Sequence, residues 1–160
     1  MLRHPILTAL TFFLYMLCPG TSTLKAATCD DTIARHMVGQ ALLAAQFVAL
    51  AERVGMTPSE INAILKNISE RSAKQEFWIT DTQGRAYLTN TEVAFTFSSN
   101  SDKQPQASAF WPLIDGSKAI VIQDTRKREI DDQLFKYVGV AGVDKARIVQ
   151  IGVGAENLCR

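Results

Sequence analysis

The protein has 160 residues, 47% of them hydrophobic, and a formal net charge of +1 at pH 7. A chain so close to neutral gives no electrostatic case for a nucleic-acid partner or for an anionic membrane surface. Once the signal peptide predicted below is removed, the remaining chain is long enough for one domain with a hydrophobic core and too short for two.

The first 27 residues are typical of a secretory signal peptide. Arg3 precedes an apolar run that Pro19 and Gly20 end, and small residues follow at positions 26 and 27. The run is shorter than the roughly 20 residues that span a bilayer, which favours cleavage over an uncleaved membrane anchor. We therefore predict a signal peptide over residues 1–27, one domain over residues 28–160, and a bacterial periplasmic or secreted location.

Two cysteines, Cys29 and Cys159, lie at the opposite ends of this predicted domain. An exported protein meets an oxidising compartment, and the termini of a domain often lie close together. We predict a disulfide bond between them, the alternative being two unrelated thiols. No cysteine or histidine spacing typical of a metal site occurs, and we predict neither a metal nor a cofactor.

A helical stripe of apolar residues runs from Ile33 to Val54, after an acidic segment, residues 30–32, that is suited to capping a helix. A second apolar side of this helix carries Ala45 and Ala49. Because a helix that is apolar on two sides contacts two surfaces, we expect one side to pack on the sheet of the same chain. From the second apolar side we predict a weak homodimer, with Ala45 and Ala49 near the contact between the two helices.

A second helix begins at the capping box Thr57–Glu60, with a proline at its first position. Apolar spacing carries this helix to about Lys74. Two strands over residues 77–80 and 85–89 follow, and the turn between them ends with Gly84.

A long polar loop is predicted over residues 91–106, followed by a short helical turn over residues 107–114. This turn contains two adjacent aromatic residues, Phe110 and Trp111. Beside a long loop, such side chains either line a pocket or plug the open end of the core.

A third strand is predicted over residues 118–124, and a run of charged residues over 126–132 comes after it. Such a run is usually a solvated turn. The alternative is that Arg126 or Lys127 points inward to hold a carboxylate.

The end of the chain, residues 134–153, predicts an antiparallel hairpin, because two runs rich in Val, Ile, Tyr and Phe meet at a polar midpoint. A two-residue loop pairs Tyr137 with Gly152 and Gly139 with Gln150, and a longer loop is the alternative. One face is then aliphatic. The other face is small and carries two polar side chains, which leaves room for a ligand.

Two segments, FWITDTQGRAYLTN over residues 77–90 and KYVGVAGVDKARIVQIGV over residues 136–153, resemble Cache domains. These are extracytoplasmic sensor modules of bacterial chemoreceptors and histidine kinases. The resemblance implies a PAS-like fold with a five-stranded antiparallel sheet and a long N-terminal helix across one face. Strands that cluster after helices independently predict an α+β fold with an antiparallel sheet. The resemblance also implies binding of a small organic acid or similar metabolite.

Three functions follow as expectations. The first is an exported sensor domain that binds a small molecule and acts through a membrane signalling protein. The second is a non-catalytic module that dimerises and binds no ligand. The third, an enzyme, is not expected, because the chain has neither a recognisable nucleophile arrangement nor a recognisable pair of catalytic carboxylates.

The first expectation places a ligand on the Tyr137 face of the sheet. Gly139, Ala141 and Gly152 leave space there. Tyr137 and Gln150 are the candidate hydrogen-bonding residues. The candidate lids over the ligand are Tyr87, Phe110 and Trp111. Arg126 is the candidate counter-charge if the ligand is an acid.

Overall fold

A computed structural model of the protein describes residues 28–158. The predicted signal peptide, residues 1–27, and Cys159 lie outside these residues. Helix α1 spans Cys29–Arg53 and helix α2 spans Pro58–Glu70, and a short 3₁₀ helix spans Ala107–Leu113. The described strands are β1 Glu76–Thr80, β2 Ala86–Thr89, β3 Ile120–Ile122, β4 Arg126–Lys127, β5 Leu134–Ala141 and β6 Ile148–Gly154.

Both α-helices begin with a capping box. The side chain of Thr57 accepts a hydrogen bond from the backbone N–H of Glu60, whose carboxylate accepts one from the backbone of Thr57, as predicted. Helix α1 begins earlier than predicted, because Thr28 and Asp31 form the same reciprocal pair of hydrogen bonds. Helix α2 ends at Glu70, four residues before the predicted end.

The six strands form one antiparallel sheet in the order β2-β1-β6-β5-β3. The two-residue strand β4 also pairs with β5, next to β3 along the same edge. Helix α1 lies on one face of the sheet and contacts β5 and β6, whereas α2 contacts β2. The predicted α+β class, the antiparallel sheet and the long helix across one face are therefore confirmed.

The register of the β5–β6 hairpin is the predicted one, with Tyr137 opposite Gly152 and Gly139 opposite Gln150. The loop is the longer alternative. Regular pairing ends at Ala141 and Ile148, a backbone hydrogen bond of 3.0 Å joins the next two residues, and residues 143–146 form the loop.

The sheet separates two hydrophobic cores. On the helix face, the aliphatic side of the hairpin packs against α1 and α2: Val138, Val140, Val149, Ile151 and Val153. On the opposite face, the sheet residues Trp78, Phe135 and Tyr137 pack with Phe110 of the 3₁₀ helix and with Phe97 of the segment before it. Burying one such aliphatic side chain stabilises the folded state by about 1.5–3 kcal/mol relative to leaving it exposed. The alternation of side chains along the strands supplies both faces with buried residues.

Helix α1 is joined to the hairpin by ion pairs near both of its ends. Near its N-terminus, Asp30 accepts a hydrogen bond of 2.8 Å from Lys136 Nζ, whose side chain is buried. Near its C-terminus, Glu52 pairs with Arg147, which is also buried. Because a buried cation needs a partner, these pairs fix the position of α1 on the sheet.

The predicted contact residues of the homodimer, Ala45 and Ala49, are only 2% and 4% exposed within one chain. They are therefore not available to a second copy, and this detail of the prediction is wrong. The reason is that α1 packs on the sheet with the side that carries its alanines.

Cys29 is disulfide-bonded. Its predicted partner, Cys159, lies outside the described residues, so the pairing stays a prediction. The geometry nearby favours it: Asp30, next to Cys29, binds Lys136, which pairs with Val153 near the end of β6. Leu158 packs against the core that α1 covers, and the end of the described chain thus returns to the N-terminus of α1.

Helix α1 is long and apolar enough to cross a membrane by length and composition alone, and 39% of its most apolar window is buried within the fold. Core helices and N-terminal signal sequences pass the same test. One side of α1 packs on β5 and β6, whereas its outer side carries exposed apolar residues. An apolar N-terminal region is compatible with a signal sequence and therefore with export.

Candidate functional site

Two rows of residues cross the strands β5, β6 and β1 on the face opposite α1. The first row is Tyr137, Gly152 and Glu76. The Tyr137 ring lies across Gly152, where a Cβ atom would stand 2.2 Å from the ring, and its hydroxyl donates to Glu76 Oε2 at 3.2 Å. Burial raises the pKa of Tyr137 above its ordinary value, and the charge of Glu76 adds to this effect. The hydroxyl is therefore a neutral donor.

The second row is Gly139, Gln150 and Trp78. Two residues of the 3₁₀ helix, Phe110 and Leu113, occupy the space above Gly139, and a Cβ atom there would lie 2.7 Å from the Phe110 ring. The room that was predicted over Gly139 and Gly152 is thus filled by side chains of the same chain. A smaller gap remains above Gln150.

This gap, called the Gln150 cavity below, has about 10 Å³ of free volume, roughly what one water molecule requires. Its walls are mainly aromatic, with two glutamines, one arginine and two smaller apolar residues: Trp78, Phe95, Phe97, Tyr137, Gln106, Gln150, Arg128, Ala107 and Ile130. Trp78 and Phe95 meet edge to face, with 5.8 Å between their ring centroids. The walls therefore offer apolar ring faces and amide groups.

Arg128 is the charged residue among those that line the cavity. Its Nη1 donates to Glu76, and its Nε and Nη2 donate to the two carboxylate oxygens of Asp131, each at 2.6 Å. The guanidinium carbon lies 4.0 Å from the centre of the Phe135 ring, which itself stacks on Tyr137. The guanidinium is therefore held on three sides by groups of the protein.

The turn between β4 and β5, residues 128–133, covers the cavity. Ile130 lines the cavity and is 36% exposed. The Glu129 carboxylate accepts a hydrogen bond of 2.6 Å from the backbone N–H of Gln106. Asp132 has a positive φ of 60°, in the left-handed region. The turn is thus attached to the rest of the domain through a few polar contacts rather than through a sheet ladder.

Gln150 is 3% exposed, and its side chain lines the cavity. Within residues 28–158 its amide makes no hydrogen bond, although every fully enclosed polar side-chain atom there has a partner. A primary amide has two donors and an acceptor to satisfy, and because every fully enclosed polar atom there is paired, the Gln150 amide atoms are those in contact with the cavity. The amide is therefore presented to whatever occupies the cavity.

The predicted site residues separate into two groups. Tyr137 and Gln150 line the cavity as predicted. Phe110 is fully buried and fills the core, which decides between the two alternatives left open for it. Trp111 is half-buried and packs close to Gly84, where a Cβ atom would lie 2.8 Å from the indole ring. Neither aromatic residue of the 3₁₀ helix lines the cavity.

Tyr87 and Arg126 lie away from the cavity. A bulge between Ile79 and Thr80 leaves Tyr87 without a partner across the strand pair, and Tyr87 packs on the helix face. Its hydroxyl donates to Glu52 of α1 there. Arg126 is exposed and borders a separate open groove beside β3. The structure thus does not bring these two residues together with Tyr137.

Sequence reasoning missed three important residues of the site. The sequence pattern could have identified Trp78, since strand alternation places Trp78 on the face opposite Phe77 and Ile79. Gln106 lies in a segment with no periodicity. Arg128 lies in a run of charged residues in which nothing distinguishes the inward side chain from the others.

On the helix face, a second polar cluster joins α1, β2 and the hairpin loop. Arg147 donates to the Tyr87 oxygen at 2.7 Å and pairs with Glu52 at 3.0 Å and with Asp144 at 2.6 Å. Lys145 pairs with Glu52 at 2.9 Å. Burial acts to raise the pKa of Glu52, but hydrogen bonds from Lys145, Tyr87 and Arg147 outweigh it and hold this pKa at about 2. These groups are mutually satisfied, which is typical of a structural cluster.

Within residues 28–158 no group of three or more His, Cys, Asp or Glu side chains is placed to hold a metal ion. The groups at the Gln150 cavity are amides, a phenol, aromatic rings and an ion-paired guanidinium. Such groups bind organic molecules through hydrogen bonds and ring contacts.

Comparison with protein-family models and with curated proteins finds no family model and no curated protein that matches this chain. The resemblance to Cache domains therefore remains a prediction.

A stability comparison tests whether the Gln150 amide lacks a partner. We expect Gln150→Leu to leave the free energy of unfolding unchanged or to raise it, because no protein hydrogen bond is lost. Gln123→Leu is the matched control: Gln123 is also buried, at 8% exposed, and its Nε2 donates to the Gln106 carbonyl at 2.8 Å. That substitution should cost about 1–3 kcal/mol in urea unfolding. A comparable loss for Gln150→Leu contradicts the assignment.

The pKa of Glu52 predicts a pH dependence of stability. The pKa is lowered from 4.5 to about 2 in the folded state, so its contribution is fully present above pH 4.5 and is lost as the pH falls towards 2. Glu52→Gln should flatten the stability curve across this window and cost about 1–3 kcal/mol at pH 7. Arg85→Gln, which breaks the exposed Asp81–Arg85 pair, should change stability by less than about 1 kcal/mol. Parallel curves for wild type and Glu52→Gln refute this role.

Proposed function

We propose that the protein is an exported domain that binds a small molecule in the Gln150 cavity. The observation that carries this proposal is the Gln150 amide, which is buried, lines the cavity and has no hydrogen-bond partner within residues 28–158. A ligand that pairs with the amide supplies hydrogen bonds that no described residue supplies. The aromatic walls supply apolar contact for the rest of the ligand.

Binding requires the turn over residues 128–133 to move. The cavity holds about 10 Å³ in this structure, whereas small-molecule sites usually measure about 300–1,000 Å³. The turn contributes Ile130 to the lining and is attached through Arg128–Glu76 and Glu129–Gln106 contacts. Occupancy of the cavity therefore changes the position of an exposed turn, which is the output that a sensor domain needs. A membrane signalling protein is the proposed partner that detects this change.

Two features support export. The apolar run before Pro19 is typical of a signal peptide, and Cys29 is disulfide-bonded. Disulfide bonds persist mainly in oxidising compartments such as the periplasm or the extracellular space. We propose the bacterial periplasm or the medium as the location.

The expectation of an acidic ligand came from the resemblance to Cache domains, and Arg126 was its candidate counter-charge. Arg126 does not line the cavity, and Arg128 takes its place in the lining. The proposed function therefore keeps the small-molecule site without assigning the charge of the ligand from Arg126.

A thermal-shift screen of small acids, amides, alcohols and amino acids tests the proposal. A compound that binds the native state alone raises the melting temperature. Because the chain has two tryptophans, the variant Trp111→Phe retains Trp78 in the cavity wall as the fluorescent reporter. We expect the stabilising compound to change the Trp78 fluorescence.

The matched control is Trp78→Phe, which retains Trp111 outside the cavity and should show a weaker fluorescence response. A screen in which no compound stabilises the protein or changes the Trp78 signal refutes the proposed function. A response of equal size at Trp111 places the ligand elsewhere.

One observation favours the second function, dimerisation. The outer side of α1 exposes Leu43 and Leu50 to 72% and 57%, with the half-buried Phe47 between them, and Val54, directly after the helix, is 68% exposed. Their spacing of four, three and four residues is that of a coiled-coil seam. The same spacing on a second copy is complementary to it, so we propose that α1 pairs weakly with α1 of another copy.

Light scattering at high protein concentration tests the dimer. Leu43→Glu should shift the protein to the monomer, because the glutamate would have to be desolvated in the helix contact. Leu134→Glu is the control, since Leu134 is 52% exposed on a different element, and it should leave the association unchanged. A wild-type protein that is monomeric throughout the concentration range excludes the dimer.

A further inference from the structure

We infer that the Gln150 cavity selects a neutral ligand that carries a carboxamide-type donor and acceptor pair, and that it rejects the corresponding carboxylic acid. This inference rests on the proposed function and assigns the chemical class of the ligand. It is carried by three features of the site: the charges around the cavity, the Gln150 amide and the aromatic walls.

The charges disfavour an anion. Arg128 is the charged residue of the lining. The N–H groups of its guanidinium already donate to Glu76 and to Asp131. Glu129, on the same turn as Arg128, adds a carboxylate to those of Glu76 and Asp131. A ligand carboxylate that displaced Glu76 or Asp131 would leave a carboxylate of the protein without its cation. An anion entering beside them would meet an excess of negative charge.

The Gln150 amide favours a group of its own kind. A primary amide offers a donor and an acceptor side by side, and an amide on the ligand presents the complementary pair. A carboxylate accepts hydrogen bonds but donates none, so it would leave the Gln150 oxygen unsatisfied. A site built on such a pair discriminates strongly against the analogue that lacks one partner.

The walls define the rest of the ligand. Trp78, Phe95 and Phe97 present aromatic surfaces, which pack well on a flat ring or on a short aliphatic body. A planar amide such as benzamide has both parts, and benzoate differs from it only in the charged group. The two compounds therefore form a matched pair of probes.

The test compares benzamide with benzoate, and propionamide with propionate, by calorimetric titration of the exported protein at pH 7. We expect the better amide to bind about tenfold or more tightly than its acid, since loss of one hydrogen bond is worth roughly that factor. Gln150→Leu should abolish the preference. Gln75→Leu, which alters a buried glutamine that pairs with Gln40 outside the cavity, should retain it.

The outcomes separate the two proposals. If an acid binds more tightly than its amide, or if only compounds without an amide bind, the ligand class is overturned while the proposed function stands. If the amide preference persists unchanged in folded Gln150→Leu, the role of Gln150 is overturned. If no compound in these pairs or in the wider screen binds, both proposals fail.

Discussion

The antiparallel pairing of β5 with β6 determines what lies on each side of the sheet. Because side chains alternate along a strand, this register places the valines of the hairpin beneath α1 and places Tyr137 and Gln150 on the opposite face. A slip of one residue would exchange the two faces of one of these strands. The ion pairs that hold α1 also depend on the register, since Lys136 and Arg147 belong to the same hairpin.

The glycines of the hairpin serve large side chains rather than a ligand. Tyr137 can lie across Gly152 because glycine has no Cβ atom, which would collide with the ring. This position brings the Tyr137 hydroxyl to Glu76. Phe110 packs on Gly139 in the same way. A glycine in a strand indicates that something approaches closely. The sequence does not show whether that neighbour is a ligand or another part of the chain.

What the sequence predicted correctly was local. The Thr57–Glu60 capping box and the hairpin register follow from neighbouring residues, and the α+β class follows from the order of elements. The site depends on distant contacts. A bulge in the β1–β2 pair moves Tyr87 to the helix face, and the fold selects Arg128 rather than Arg126 from one charged run. No short-range pattern encodes either outcome.

Buried polar groups are paired differently on the two faces of the sheet. On the helix face, Lys136 and Arg147 are buried and fully engaged with partners that hold α1 in place. On the cavity face, Glu76 accepts from Trp78 and Arg128, while the Gln150 amide remains open to the cavity. Gln150 thus differs from the buried cations of the helix face, because its amide faces a cavity rather than a partner among the described residues.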